Sequence, residues 1–376
     1  MKEMVFKDLK INENIIRAVA EMGYNELTEI QKDVIGPVLS GRDVVGLAST
    51  GTGKTAAFSI PIIDMLLKDK ENSQEYNAIK ALVLTPTREL AIQVGEDIES
   101  YAKYIDIKAG AIYGGVTPKR HIKVIKREPN ILVATPGRLL DLIGKEAIDL
   151  SNVSMLVIDE ADRMLEKEML KDVKQIIKEL PNKKQNLLFS ATMPKEIEKL
   201  ANSLLNNAIK VEVKDNINSD NKIKEVIYHV DETIKTMLLI DLLKEEEFES
   251  ILIFTRTKKK ADKVSKAINI ANIPGMVSKA IHSDKNQSER EKAMEKFKAG
   301  DVKILVATDI AARGIDVKGL SHVINMNVPN VPETYIHRIG RTGRAGKEGI
   351  AITFCSDDEE EYLDGITKMR GNNDGK

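Results

Sequence analysis

The sequence predicts an α/β protein of two tandem domains, each a mostly parallel sheet flanked by helices. Three observations carry this reading. Short apolar runs recur, each followed by a turn or capping signal and then by helical periodicity. The first half contains Ala81-Leu82-Val83-Leu84, Ile131-Leu132-Val133-Ala134, Met155-Leu156-Val157-Ile158 and Leu187-Leu188-Phe189. Runs that are apolar at every position suit strands buried on both faces, as in a parallel sheet covered by helices. Second, the later half repeats the theme with Ile251-Leu252-Ile253-Phe254, Ile304-Leu305-Val306-Ala307, His322 to Met326 and Ile350 to Phe354. The string Ile-Leu-Val-Ala-Thr even occurs twice, at Ile131 to Thr135 and at Ile304 to Thr308, which relates the two halves. Third, residues 214–222 are polar, turn-rich and without periodicity, as a linker would be. The expected boundaries are a first domain at 1–213, a linker at 214–222, a second domain at 223–368 and a disordered tail at 369–376.

Composition narrows the function classes. A length of 376 residues suits two domains, and 42% hydrophobic with 31% charged residues suits globular cores. Lys and Arg number 57 against 58 Asp and Glu, so any polyanion must be met by a local stripe rather than by bulk charge. The lone Cys355 excludes an internal disulfide and points to a reducing, cytoplasmic setting. No apolar run approaches the roughly 18 residues of a membrane span. Trp is absent and aromatics make up 4%, so a nucleic acid would be gripped by its backbone rather than by stacked bases.

The polar motifs follow the apolar runs, at the edge where parallel sheets bind ligands. In Ala48-Ser49-Thr50-Gly51-Thr52-Gly53-Lys54-Thr55-Ala56, the glycines let backbone N–H groups turn toward phosphate oxygens. Lys54 adds a point charge and Thr55 a hydroxyl for Mg²⁺. The general pattern has Gly where this chain has Ala48. Asp159 and Glu160 follow Met155 to Ile158; the first can hold Mg²⁺ and the second can orient or deprotonate a water. Alone, such a pair reads more readily as a helix cap; beside a phosphate loop the metal reading prevails. His337, Arg338, Arg341 and Arg344 cluster in a Gly-rich segment, and Arg341 with Arg344 at i,i+3 suits an arginine finger. His121, His229, His282 and His322 show no consistent metal spacing.

From Phe6 to about Met369 this order of motifs resembles the DEAD-box RNA helicases of superfamily 2. The resemblance implies two RecA-like domains, ATP and Mg²⁺ as cofactors, and RNA as partner. Phe6, Gly23-Tyr24 and Thr28 to Gln31 resemble the family's Q motif, which implies that Gln31 reads the adenine edge while Phe6 stacks on the ring. Pro86-Thr87-Arg88, Gly114-Gly115 and Thr135 with Arg138 resemble its RNA-contacting motifs, as do Gln287, Arg290 and Thr308 in the second half. Ser190-Ala191-Thr192 resembles the segment that couples hydrolysis to strand separation, with Arg338 its counterpart. Asp316 would hold the ribose. Phe254-Thr255-Arg256-Thr257 departs from the family's usual Phe-Cys-Asn-Thr-like string, leaving Arg256 as the residue that could meet a phosphate. Lys54, Asp159, Glu160, His337, Arg341 and Arg344 would form the catalytic set. Hydroxyl, guanidinium and backbone donors position a strand without reading its bases. The expectation is a monomeric ATP-dependent RNA helicase that closes two domains on RNA and ATP and hydrolyses ATP for release. An ATP-gated RNA clamp or assembly platform, with incidental unwinding, remains the alternative.

Overall fold

The computed structural model describes residues 5–49, 51–72, 78–165, 167–213, 223–245, 248–309, 320–343 and 348–371, with the backbone alone at 72, 118–120, 167, 287, 333 and 369–371. The chain divides into two compact units, Met1–Asp215 and Asn216–Lys376.

In the first unit the described strands are β1 (Val44–Leu47), β2 (Ala81–Leu84), β3 (Ala109–Ile112), β4 (Ile131–Ala134), β5 (Met155–Ile158), β6 (Gln185–Ser190) and β7 (Ile209–Glu212). They pair throughout in parallel, in the order β3-β4-β2-β5-β6-β1-β7. Successive side chains of β2 feed opposite cores: Ala81 and Val83 join one cluster with Phe58 and Ile60, and Leu82 and Leu84 join another with Leu139 and Val173. That alternation, repeated strand by strand, requires apolar residues at every position and explains the unbroken runs in the sequence. Gly46 interrupts β1 because the Phe189 ring of β6 fills the space that its Cβ would occupy, 2.6 Å away.

The second unit repeats the plan with β8 (Ile223–His229), β9 (Ile251–Phe254), β10 (Ser278–Ile281), β11 (Ile304–Ala307), β12 (His322–Asn325) and β13 (Gly349–Cys355). Their order is β10-β11-β9-β12-β13-β8, again all parallel. Ile251 and Ile253 face one core while Leu252 and Phe254 face the other. The final helix, Glu360–Gly371, runs past the boundary expected at 368, and the rest of the expected tail lies outside the described residues, as does the linker. Among the described residues no helix is long and apolar enough to cross a membrane.

Parallel order sends every strand's carboxyl end to one edge of its sheet. The phosphate loop leaves β1 there, Thr87 and Arg88 follow β2, Gly114 follows β3, Thr135 follows β4, Asp159 follows β5, and β6 ends on Ser190.

Candidate active site

The loop after β1 turns sharply, with Gly51 at φ 90° and Gly53 at φ 95°, and delivers Lys54 as the first residue of the helix Lys54–Asn72. These left-handed values strain any residue with a Cβ. At Gly53 space forbids one as well: a Cβ would stand 2.4 Å from Gln31 Nε2. Gln31, 3% exposed, donates from Nε2 to the Gly53 carbonyl at 3.2 Å and accepts from Thr28 N at 3.0 Å. The Q-like segment and the phosphate loop are thus in contact. An antiparallel bridge between Val5 and Glu26 ties Phe6 to the same region, and the Phe6 ring is buried in the core. Ala56 is buried and Thr55 half-buried. Lys54 is buried too, its ammonium donating to the carbonyls of Ala48 and Ser49, while Thr52 Oγ1 donates to Ser49 O. Burial pulls the Lys54 ammonium below its ordinary value, against the opposing pull of Asp159, Glu160 and Asp162.

Those carboxylates occupy the turn after β5. Asp159 is buried, and burial together with the neighbouring Glu160 charge pushes its carboxyl up to about 7, although Lys54 opposes the shift. Two acids held so close in a dry site favour the protonated form unless a cation joins them. Glu160 stands at φ 54°, ψ 48°, a left-handed conformation uncommon outside glycine. Its N–H donates to Asp159 Oδ1 at 2.9 Å, and its Oε2 receives Arg163 Nη1 at 2.8 Å in a pair whose side chains are 6% and 7% exposed. Asp162 N donates to Ser190 Oγ at 3.1 Å, and Asp162 Oδ2 accepts from both Thr192 N and Thr192 Oγ1 at 3.0 Å. Ala48 N donates to the Ser190 carbonyl at 3.1 Å. Phosphate loop, acidic turn and Ser190–Thr192 are therefore joined in one bonded network. Asp159 and Thr55 offer hard oxygen donors, and two buried carboxyls, Asp159 and Glu160, adjoin in that turn, so the residues fit Mg²⁺.

Arg88 and Arg138 both reach the turn at Gly114–Gly115. Gly115 has φ 82°, and a Cβ there would fall 1.8 Å from Arg88 Nη1, so the guanidinium lies directly on the turn. Arg138 Nη2 donates to Val116 O at 3.0 Å, and its Nη1 lies 3.4 Å from His121 Nδ1. His121 Nε2 in turn accepts from Tyr113 N at 3.2 Å. This buried histidine, unassigned by sequence reasoning, lies between Tyr113 N and the Arg138 guanidinium, a placement that spacing could not have signalled. Pro86 and Thr87 lead into the helix Arg88–Tyr101, and the Thr87 hydroxyl accepts from Leu90 N as its cap at 3.3 Å. Thr135 heads the helix Pro136–Ile143 with no such side-chain bond.

In the second unit Arg338, 3% exposed, makes a two-pronged contact with Asp309 (Nε to Oδ1 2.6 Å, Nη2 to Oδ2 2.8 Å) and donates to Asn327 O at 2.8 Å. His337 shares its helix, Pro332–Ile339, and Arg341 lies buried just beyond it. Thr308 follows β11 half-buried, and Arg290 is buried on the helix Gln287–Lys298. Arg256 follows β9 and is held by Glu359 Oε1 at 2.8 Å and Val328 O at 3.1 Å. Glu359 is also bonded to the wholly buried Lys235 and, at 3.0 Å, to Asn327 Nδ2. Sequence reasoning missed this network because its members lie far apart in the chain. Thr50, Asp316, Arg344 and the side chain of Gln287 lie outside the described residues.

Residues 28–200 match the family described as DEAD/DEAH box helicase, and residues 234–346 match the helicase conserved C-terminal domain. The chain is 42% identical over 363 residues to the DEAD-box ATP-dependent RNA helicase CshA of Bacillus subtilis (strain 168), covering 96% of this chain and 72% of that relative. Among solved structures, Mss116p bound to ssRNA and AMP-PNP gives a TM-score of 0.86 at 29% identity, over 98% of this chain and 78% of that one. S. cerevisiae Dbp5 bound to RNA and ADP BeF3 gives 0.84 at 29% identity, over 97% and 93%. Both parallel-sheet units share the RecA-like fold of these structures.

Proposed function

Because this chain is a member of the DEAD-box ATP-dependent RNA helicase family, we propose that it hydrolyses ATP to separate short RNA duplexes, closing its two units on nucleotide and strand together. The observation that most supports this reading is the bonding of Asp162 to Ser190 and Thr192, which ties the hydrolytic turn to the expected coupling segment.

Ser49 to Ala56 receive the phosphates, and Lys54 exchanges its neutral carbonyl acceptors for anionic phosphate oxygens. Gln31 and Phe6 take the adenine and Asp316 the ribose. Asp159 and Thr55 would hold a magnesium ion, which supplies charge neutralisation on the phosphates when bound. Glu160 orients the attacking water and accepts its proton. RNA lies along Pro86, Thr87, Arg88, Gly114, Gly115, Thr135 and Arg138 of one unit and Arg256, Gln287, Arg290 and Thr308 of the other, held by its backbone. Closure brings His337, Arg341 and Arg344 to the γ-phosphate, and Arg338, fixed to Asp309, links that movement to the strand. Since neither ligand closes the units fully alone, each should tighten binding of the other by the same factor.

The test is steady-state ATP hydrolysis with and without single-stranded RNA, with matched DNA as control. Stimulation by RNA alone is expected. Equal stimulation by DNA would reassign the chain as a general translocase, and none, with ATP still bound, would refute RNA-driven closure.

A further inference from the structure

His229 and Cys355 are partners in the last register pair of β8 and β13, so both side chains leave the same face of the second sheet at its carboxyl edge. Glu360, first residue of the helix Glu360–Gly371, brings its Oε1 to 2.7 Å from His229 Nδ1. The ligand-capable atoms of the three residues all lie within 4.8 Å of one another, the one such group of His, Cys, Asp or Glu among the described residues. The geometry points to a binding site for a divalent transition metal, zinc by preference, built from Cys355 Sγ, His229 Nδ1 and Glu360 Oε1.

The donor set argues for this class of ion. Thiolate and imidazole together select borderline-soft cations over magnesium or calcium, and three protein ligands leave a fourth, tetrahedral position to water. Tetrahedral ligands about 2.0–2.3 Å from zinc stand closer together than 4.8 Å, so the group must contract by about 1 Å. It can do so, because His229 and Glu360 expose 61% and 47% of their side chains while Cys355 is fixed in the core. On uptake the Cys355 S–H bond breaks, its proton passes to solvent and the sulfur pair forms the metal bond. The proton that His229 Nδ1 shares with Glu360 Oε1 is lost from Nδ1 and taken up at Nε2 through solvent, so that Nδ1 and Oε1 can each form a metal bond. The surroundings favour a cation. Asp357, Asp358 and Glu361 are exposed nearby in sequence, and the cations closest at hand, Lys235 and Arg256, are already committed to Glu359. A bound ion would fasten β8, an edge strand, to β13 and the last helix.

The experiment titrates the full chain, freed of metal by chelation, with cobalt(II) and then with zinc in competition with a chromophoric chelator. One equivalent of cobalt should produce a thiolate-to-metal charge-transfer band, displaced by zinc. His229→Ala and Cys355→Ser should each abolish the band and weaken zinc binding about tenfold or more, while magnesium-supported ATP hydrolysis stays at the wild-type rate. His229 is exposed, so that variant reports on the site even if Cys355→Ser disturbs the core. A wild-type chain without the band, or a band that survives His229→Ala, overturns the assignment.

Discussion

Replacing Arg163 by Met isolates what the buried Arg163–Glu160 pair does. The side chains are 7% and 6% exposed, so the pair cannot be treated as a solvent-screened surface contact. Removing the guanidinium leaves Glu160 in a dry pocket beside Asp159, without its hydrogen-bonded cation. Breaking a buried pair from one end costs about 3–5 kcal/mol, whereas replacing both ends costs little. For a unit the size of Met1–Asp215, about 2–4 °C per kcal/mol turns this into a fall of about 6–20 °C in its unfolding midpoint. Differential scanning calorimetry on the full chain measures it, the first unit's transition being identified by its shift with ADP. The double variant Arg163→Met with Glu160→Gln should regain most of the loss. The kinetic signature is separate: with Glu160 no longer held, kcat should fall while the KM for ATP changes little. A single variant that melts within about 2 °C of wild type, or a double variant no better than the single, would refute the argument.

Three further outcomes are expected. The Asp159 carboxyl is raised by burial and by Glu160, so its contribution to stability is full below the ordinary carboxylate range and is lost as pH rises through about 7. Metal-free protein should therefore lose stability between about pH 4 and pH 7 relative to Asp159→Asn; parallel curves would rule this out. Gly115→Ala places a Cβ on the Arg88 guanidinium at a left-handed φ, and RNA binding, read by fluorescence anisotropy, should weaken about tenfold, the worth of one charge-assisted contact, with ATP affinity unchanged. Arg341→Ala should lower RNA-stimulated turnover by about 10³–10⁵ with ATP affinity nearly intact; normal turnover would remove its finger role.

What the sequence reveals follows burial. The strands covered on both faces, β2, β4, β5, β9 and β11, read as unbroken apolar runs and are legible without coordinates. The edge strands β3, β7, β8 and β10 are not, because one side lies open: β3, β7 and β10 mix buried with half-buried or exposed positions, and β8 has no buried position. β1 escaped for another reason: Gly46 makes room for Phe189 and breaks the run. At the site, the motif residues from Lys54 to Arg341 stand out by type and local spacing, and it is on these that the proposed roles rest. Residues whose work depends on a distant partner do not stand out. Nothing near His121 announces Arg138, and nothing near Lys235 announces Glu359. Arg163 lies between these cases, since its i,i+3 spacing from Glu160 is visible but the burial that gives the pair weight is not.

The strand order carries a consequence for synthesis. β1, which launches the phosphate loop, is made first yet lies between β6 and β7, the last strands of its unit. While the chain emerges from a ribosome, β1 has no neighbour until residues 185–190 are out and lacks its second until 209–212 are, and until Ser190 is made Ala48 lacks the carbonyl that holds the loop's entry. Interruption anywhere before Ile209 strands the phosphate loop on a raw sheet edge. The sheet that carries the phosphate loop is therefore completed late, first by β6 and then by β7 at the end of the first unit.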